Sequence, residues 1–181
     1  MATRGEYNQL QAFARVDGAL IALLWIVSFA CFVGQFKYYA LGTAAFIIGV
    51  ISLLVASLRV IRFRDRVRDG AITFGQAFAF GVMLYLYASL LFAFAQFIYF
   101  QFIDGGFLMS RFTEVVATDE YKQMMQIYGL TEDDLHTAMD SIASMRPVET
   151  AMQFFTVNVF MGVCISLPIA VIAKRSKKKQ G

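Results

Sequence analysis

Residues 70–103 read GAITFGQAFAFGVMLYLYASLLFAFAQFIYFQFI, thirty-four positions without Asp, Glu, Lys or Arg. A strand of a membrane barrel needs segments of about ten residues that alternate in polarity, and no such alternation is present. An unbroken helix from Phe74 to Ile103 would measure about 45 Å at 1.5 Å per residue, whereas the hydrocarbon core of a bilayer is about 30 Å thick. The stretch therefore predicts a membrane-crossing helix that tilts or projects beyond the bilayer. Its start is punctuated: Asp69-Gly70 is a turn signal, and Thr73 with Gln76 three positions on makes a capping box. Its end, from Gln96 to Phe102, mixes aromatics with amides as an interfacial belt does.

Three further charge-free runs flank it: Gly18 to Phe36, Tyr38 to Leu58 and Thr150 to Ala173. Each supplies the roughly 20 apolar residues that a spanning helix requires. The expected spans are about 18–35, 40–58, 74–103 and 150–173. The prediction is an all-α polytopic membrane protein, a single membrane domain over 1–181 with a helical extracytoplasmic insertion at 104–149. A mean hydropathy of +0.60 and a 16% charged fraction exclude a soluble or disordered chain. Cys31 and Cys164 lie inside apolar runs without CxxC spacing, and His136 is the one histidine. A disulfide scaffold or zinc site is disfavoured, and both cysteines read as small buried apolar residues. Ser28-Phe29-Ala30-Cys31 fits a signal-peptidase site poorly, so the first span is expected to be retained.

The loops sort by charge. Arg4 and Arg15, the run Arg59, Arg62, Arg64, Arg66 and Arg68, and the tail Lys174, Arg175, Lys177, Lys178 and Lys179 fall on one side of a four-span chain. Only Lys37, Arg111, Lys122 and Arg146 fall on the other, together with the acids of 104–149. Cationic loops resist translocation, so both termini are expected in the cytoplasm.

Within lipid, helices associate through small residues and interhelical hydrogen bonds. Gly42, Ala45, Gly49, Ser52 and Ala56 form such a stripe on the second span, Gly81, Ala88 and Ala95 on the third, and Asn158, Gly162, Ser166 and Ala170 on the fourth. These faces predict contact among spans two, three and four, or serve homo-oligomerisation. In the insertion, Leu108, Phe112, Val115 and Val116 share one helical face, Tyr121, Met124, Met125 and Tyr128 a second, and Leu135, Met139, Ile142 and Met145 a third. Gly129 reads as a helix stop, Thr131 with Asp134 as a cap, and Pro147 suits the first turn of the last span.

Candidate chemistry is sparse. Arg59, Arg62, Arg64, Arg66 and Arg68 suit anionic lipid headgroups, a lipid-linked phosphate or an acidic partner, although a topology signal explains them more simply. Asp17 reads as a helix N-terminal charge beside Arg15. Gln96, Gln153 and Asn158 suit a polar groove, but interhelical hydrogen bonding is the commoner use of such amides. Glu132, Asp133 and Asp134 lack calcium-loop spacing and sit where the helix dipole favours acids. No nucleophile motif, phosphate-cradling glycine loop or redox pair is present, so no enzyme activity, cofactor, metal or nucleic-acid partner is expected.

The Arg-rich turn leading into Asp69-Gly70-Ala71-Ile72-Thr73-Phe74-Gly75-Gln76, the aromatic third span ending Tyr99-Phe100-Gln101-Phe102-Ile103-Asp104, the Met-rich acidic stretch and the last span closing on Lys174 and Arg175 resemble the bacterial membrane proteins catalogued as domain of unknown function 4199. The resemblance covers nearly the whole chain. It implies a Gram-negative inner membrane with 104–149 in the periplasm, and it brings no catalytic residues. Two functions follow as expectations. The first is a non-enzymatic inner-membrane protein acting by association, as a homo-oligomer or as an accessory subunit of another membrane protein. The alternative is a handler or flippase of lipids or polyprenyl-phosphate-linked sugars.

Overall fold

The computed structural model describes residues 4–127, 129 and 131–175. Tyr128 of the expected middle-helix face and Lys177 to Lys179 of the basic tail lie outside the described residues. Among the described residues the chain forms α1 (Arg4–Gly34), α2 (Ala40–Val67), α3 (Phe74–Phe102), α4 (Phe107–Val116), α5 (Asp119–Ile127), α6 (Glu132–Ala143) and α7 (Pro147–Ala173), with no strand. Over Tyr7–Gly34, α1 is long and apolar enough to cross a membrane, as are α2, α3 and α7. The architecture is all-α and polytopic, with three short helices between the third and fourth spans.

Two helices outrun the expected spans. α1 begins at Arg4 rather than near Gly18, and α2 continues past Leu58 to Val67. Arg, Val, Ile and Phe all tolerate a helix, and no Gly or Pro follows Leu58 until Gly70. The chain then turns with Asp69 and Gly70 at positive φ (51° and 77°), Gly70 N–H donating to Arg64 O. Gln76 N–H donates to Thr73 Oγ1 and Thr73 N–H to Gln76 Oε1, so the capping box opens α3 as expected.

The chain divides into two compact units, Met1–Ala93 with Phe154–Gly181, and Phe94–Gln153. In the first, α1 and α2 run antiparallel, and their contacts descend in step. Phe13 meets Phe63, Asp17 meets Arg59, Trp25 Nε1 donates to Ser52 Oγ at 3.0 Å, and Ser28 Oγ donates to Ala45 O at 2.8 Å. The small stripe of α2 is thus applied to α1, where Ala45, Ser52 and Ala56 are buried. That differs from the expected contact with spans three and four, because the short 35–39 connection brings the α1 face alongside first. Gly42 faces the Gln35 side chain, while nothing lies within 4 Å of the Gly49 side-chain position. Gly81 of α3 abuts Ser166 of α7, and Gly162 of α7 abuts Tyr85. Ser166 is itself buried and returns its hydroxyl hydrogen to Gly162 O at 2.6 Å. Around this core, Phe46, Leu54, Leu58, Phe160 and Ile172 are exposed. In lipid such a surface needs no cover, since acyl tails are as apolar as Leu. Cys164 belongs to that exposed surface and Cys31 is half-buried, so neither is the buried residue expected.

In the second unit, Gly105 and Gly106 (φ 53° and 84°) turn the chain out of α3, and the Asp104 carboxylate accepts from the Gly106 and Leu108 amides to start α4. Leu108, Val116 and Met125 are buried, whereas Phe112, Ile127 and Ile142 are exposed. Gly129 adopts φ 69° beyond α5, as a helix stop does. α7 starts on Pro147, where the lost amide donor would be unsatisfied in any case. α6 carries a full capping box: Asp134 N–H donates to Thr131 Oγ1, and Thr131 N–H to the Asp134 carboxylate. The Thr131 hydroxyl, followed by its amide, holds the Asp134 carboxyl below its ordinary range. A lowered folded value means the cap contributes fully above the ordinary carboxylate range and is lost as pH falls through the lowered value. Protection of the α6 amides, the ratio of intrinsic to observed exchange rate, is therefore expected to fall as pH drops below the ordinary carboxylate range, and Thr131→Ala is expected to remove that dependence.

Candidate functional site

The extension of α2 decides how the arginines are arranged. On a continuous helix Arg59, Arg62 and Arg66 stand at i, i+3 and i+7 and share one face. α1 answers with Ala12, Phe13, Val16 and Asp17. Together with Phe63 and Val67 these residues line a cleft of about 410 Å³. Phe63 forms its floor; it is 2% exposed, stacks on Phe80 with ring centroids 4.4 Å apart, and takes the Phe13 ring edge-on at 5.8 Å.

Asp17 is buried in the wall, with Oδ1 3.2 Å from Arg59 Nη1. It is more than three turns inside α1, so the expectation of a helix N-terminal charge beside Arg15 is corrected. The apparent start of the span was only its first charge-free residue. Arg15 instead lies over the Tyr87 ring, 5.9 Å from its centroid. Among the described residues, Arg62 and Arg66 are exposed and make no close ion pair, although Asp17 attracts Arg62 as well as Arg59.

Arg64 points elsewhere. It clasps Asp65 through Nε at 2.7 Å and Nη2 at 3.1 Å, and donates Nη1 to Ala173 O at 3.2 Å. It thereby satisfies a terminal carbonyl of α7, where a cation is also favoured by the helix dipole. Beside it, Ile72 and Arg175 exchange backbone hydrogen bonds at 3.0 Å, tying the entry of α3 to the exit of α7. Arg68 closes α2 as its C-cap and does not line the cleft. The five arginines thus resolve into three that share a cleft and two at the helix ends.

The candidate groove amides differ in environment. Gln96 is buried and its Oε1 has no hydrogen-bond donor among the described residues, Asn158 is half-buried, and Gln153 is exposed. Charge reading gives Asp17 as a helix N-terminal charge only, and Phe13 is the site residue that it leaves out. Their signal was the i, i+4 pair Phe13-Asp17 on an apolar helix.

A family model described as "Protein of unknown function (DUF4199)" matches residues 17–175. The chain belongs to the DUF4199 family. The match to DUF4199 opens on the Asp17 that pairs with Arg59 and closes on the Arg175 that pairs with Ile72. No curated protein and no solved structure matches the chain.

Proposed function

We propose that this DUF4199 chain is an anionic-lipid-binding protein of the inner membrane, with no catalytic chemistry of its own, that takes the headgroup in the Arg59–Arg62–Arg66 cleft. The cleft carries the reading. α2 measures about 42 Å against a core of about 30 Å, so a modestly tilted α2 carries Arg59 to Arg66, about 10 Å of helix, out into the headgroup zone. The positive-inside argument places that end at the cytoplasmic leaflet, where anionic lipids and basic residues meet. Phe13, Val16 and Val67 give the cationic row an apolar border on which an acyl chain can lie.

The association reading draws less support from small residues, because Ala45, Ser52, Gly81, Gly162 and Ser166 face neighbours within the chain. It is favoured instead by the exposed apolar side chains Phe112, Ile127 and Ile142 of the helices between α3 and α7. One measurement addresses both readings: native mass spectrometry of the protein extracted in mild detergent. Bound anionic lipid is expected, reduced about tenfold or more in Arg62→Gln/Arg66→Gln, since each interfacial cation contributes about 1 kcal/mol. Unchanged lipid content in that variant removes the lipid reading. A mass increment equal to a second copy or another protein supports association, and a bare monomer removes it.

A further inference from the structure

The charge count of the cleft narrows its ligand beyond anionic lipids in general, an argument that rests on the lipid reading above. Three guanidiniums line it, Arg59, Arg62 and Arg66, against one carboxylate, Asp17. Asp17 pairs with Arg59 at 3.2 Å and attracts Arg62 less strongly, so one acid offsets one of the three cations and the exposed Arg62 and Arg66 carry the surplus for one ligand. A phosphodiester headgroup carries one negative charge and would satisfy one of them. A phosphomonoester carries close to two at neutral pH and above, and offers three terminal oxygens instead of two. It accepts hydrogen bonds from two guanidinium forks at once, the geometry in which arginine binds phosphate most strongly.

The two arginines stand four positions apart on one face of α2, so their side chains project one above the other, close enough for both to reach a single small anion. The source of that anion is indicated by the walls. Val16 is 71% exposed and Phe13 43% exposed beside the arginine row, an apolar strip that suits an acyl or prenyl chain and gives nothing to a free phosphate. We infer that the cleft selects lipid phosphomonoesters over phosphodiester lipids, with Arg62 and Arg66 as the paired headgroup contacts.

The test uses the full chain in phosphatidylcholine nanodiscs doped equally with phosphatidic acid or phosphatidylglycerol, near pH 8, with retained lipid read by native mass spectrometry. Phosphatidic acid is expected to be retained about tenfold over phosphatidylglycerol, the worth of one more charge-assisted pair. Arg62→Gln is expected to bring that ratio close to one while phosphatidylglycerol retention persists, and Arg62→Lys to preserve most of it. Both positions are exposed, and an unchanged unfolding temperature verifies that the variants are folded. Equal retention of the two lipids by the unaltered protein overturns phosphomonoester selection. If Arg62→Gln/Arg66→Gln then loses both lipids, the anionic-lipid reading still stands; if it loses neither, both readings fall. Inorganic phosphate bound as tightly as phosphatidic acid, in nanodiscs of phosphatidylcholine alone, overturns the lipid source.

Discussion

Gly18→Leu is expected to leave little folded protein to extract, and Gly18→Ala to lower stability by about 1–3 kcal/mol, the cost of overfilling a packed interior. A β-carbon at Gly18 would stand 2.7 Å from Leu84 O, 2.8 Å from Tyr87 Cβ and 3.2 Å from Ala88 N. Two of those three atoms are α3 backbone, which cannot rotate aside as a side chain does. The whole of α3 would have to retreat from α1, and with it the stack of Trp25 on Tyr85, whose ring centroids are 6.1 Å apart. Trp25 is the single tryptophan of the chain and reports that separation by its fluorescence during thermal unfolding. Gly49→Ala is the control. Its side-chain position is open to 4 Å, so the alanine is expected to be neutral or to stabilise α2 by about 0.5–1 kcal/mol through helix propensity. Equal unfolding temperatures for Gly18→Ala and Gly49→Ala would contradict the close approach of α1 to α3.

The four spans were legible because lipid imposes a coarse requirement: about 20 residues that are apolar all round. The helix caps at Thr73 and Thr131 were legible because a capping box is local, set by residues three apart. Helix ends were not legible from charge alone. Charge-free runs mark the stretch of a helix suited to hydrocarbon, and a helix is free to continue beyond that stretch, as α1 does before Gly18 and α2 after Leu58. That continuation turned a presumed loop of arginines into a helix face, and only on a face do Arg59, Arg62 and Arg66 stand apart from Arg64. The Gly18 contact was legible in principle. Ala14, Gly18 and Ala22 step by four, and the two alanines are buried. Which helix a stripe meets was not legible, because a small face fits any neighbour equally well until connectivity selects one.

Asp17→Ala is expected to destabilise the protein by about 2–3 kcal/mol, and Asp17→Ala/Arg59→Met to recover most of that loss. The asymmetry follows from where the pair sits. The Asp17 side chain is 11% exposed and that of Arg59 29%, so both are largely removed from water, and each depends on the other for its counter-charge. Taking away the carboxylate leaves Arg59 partly desolvated on the same helix face as Arg62 and Arg66, with three like charges and no other carboxylate among the residues that line the cleft. Coulomb repulsion among them then adds to the cost of the orphaned cation. Exposure of Arg59 permits some rehydration, which places the loss below the 3–5 kcal/mol of a fully buried pair. Replacing both members removes the orphan and fills the space against Val16 and Phe63 with an unbranched apolar chain. Thermal unfolding of the two singles and the double gives the coupling energy directly as a double-mutant cycle. A double variant no more stable than Asp17→Ala would show that the carboxylate acts on some other group. The double keeps Arg62 and Arg66 in the sequence, so lipid retention measured on it beside the cycle separates what the Asp17–Arg59 pair does for the fold from what those two arginines do for a ligand.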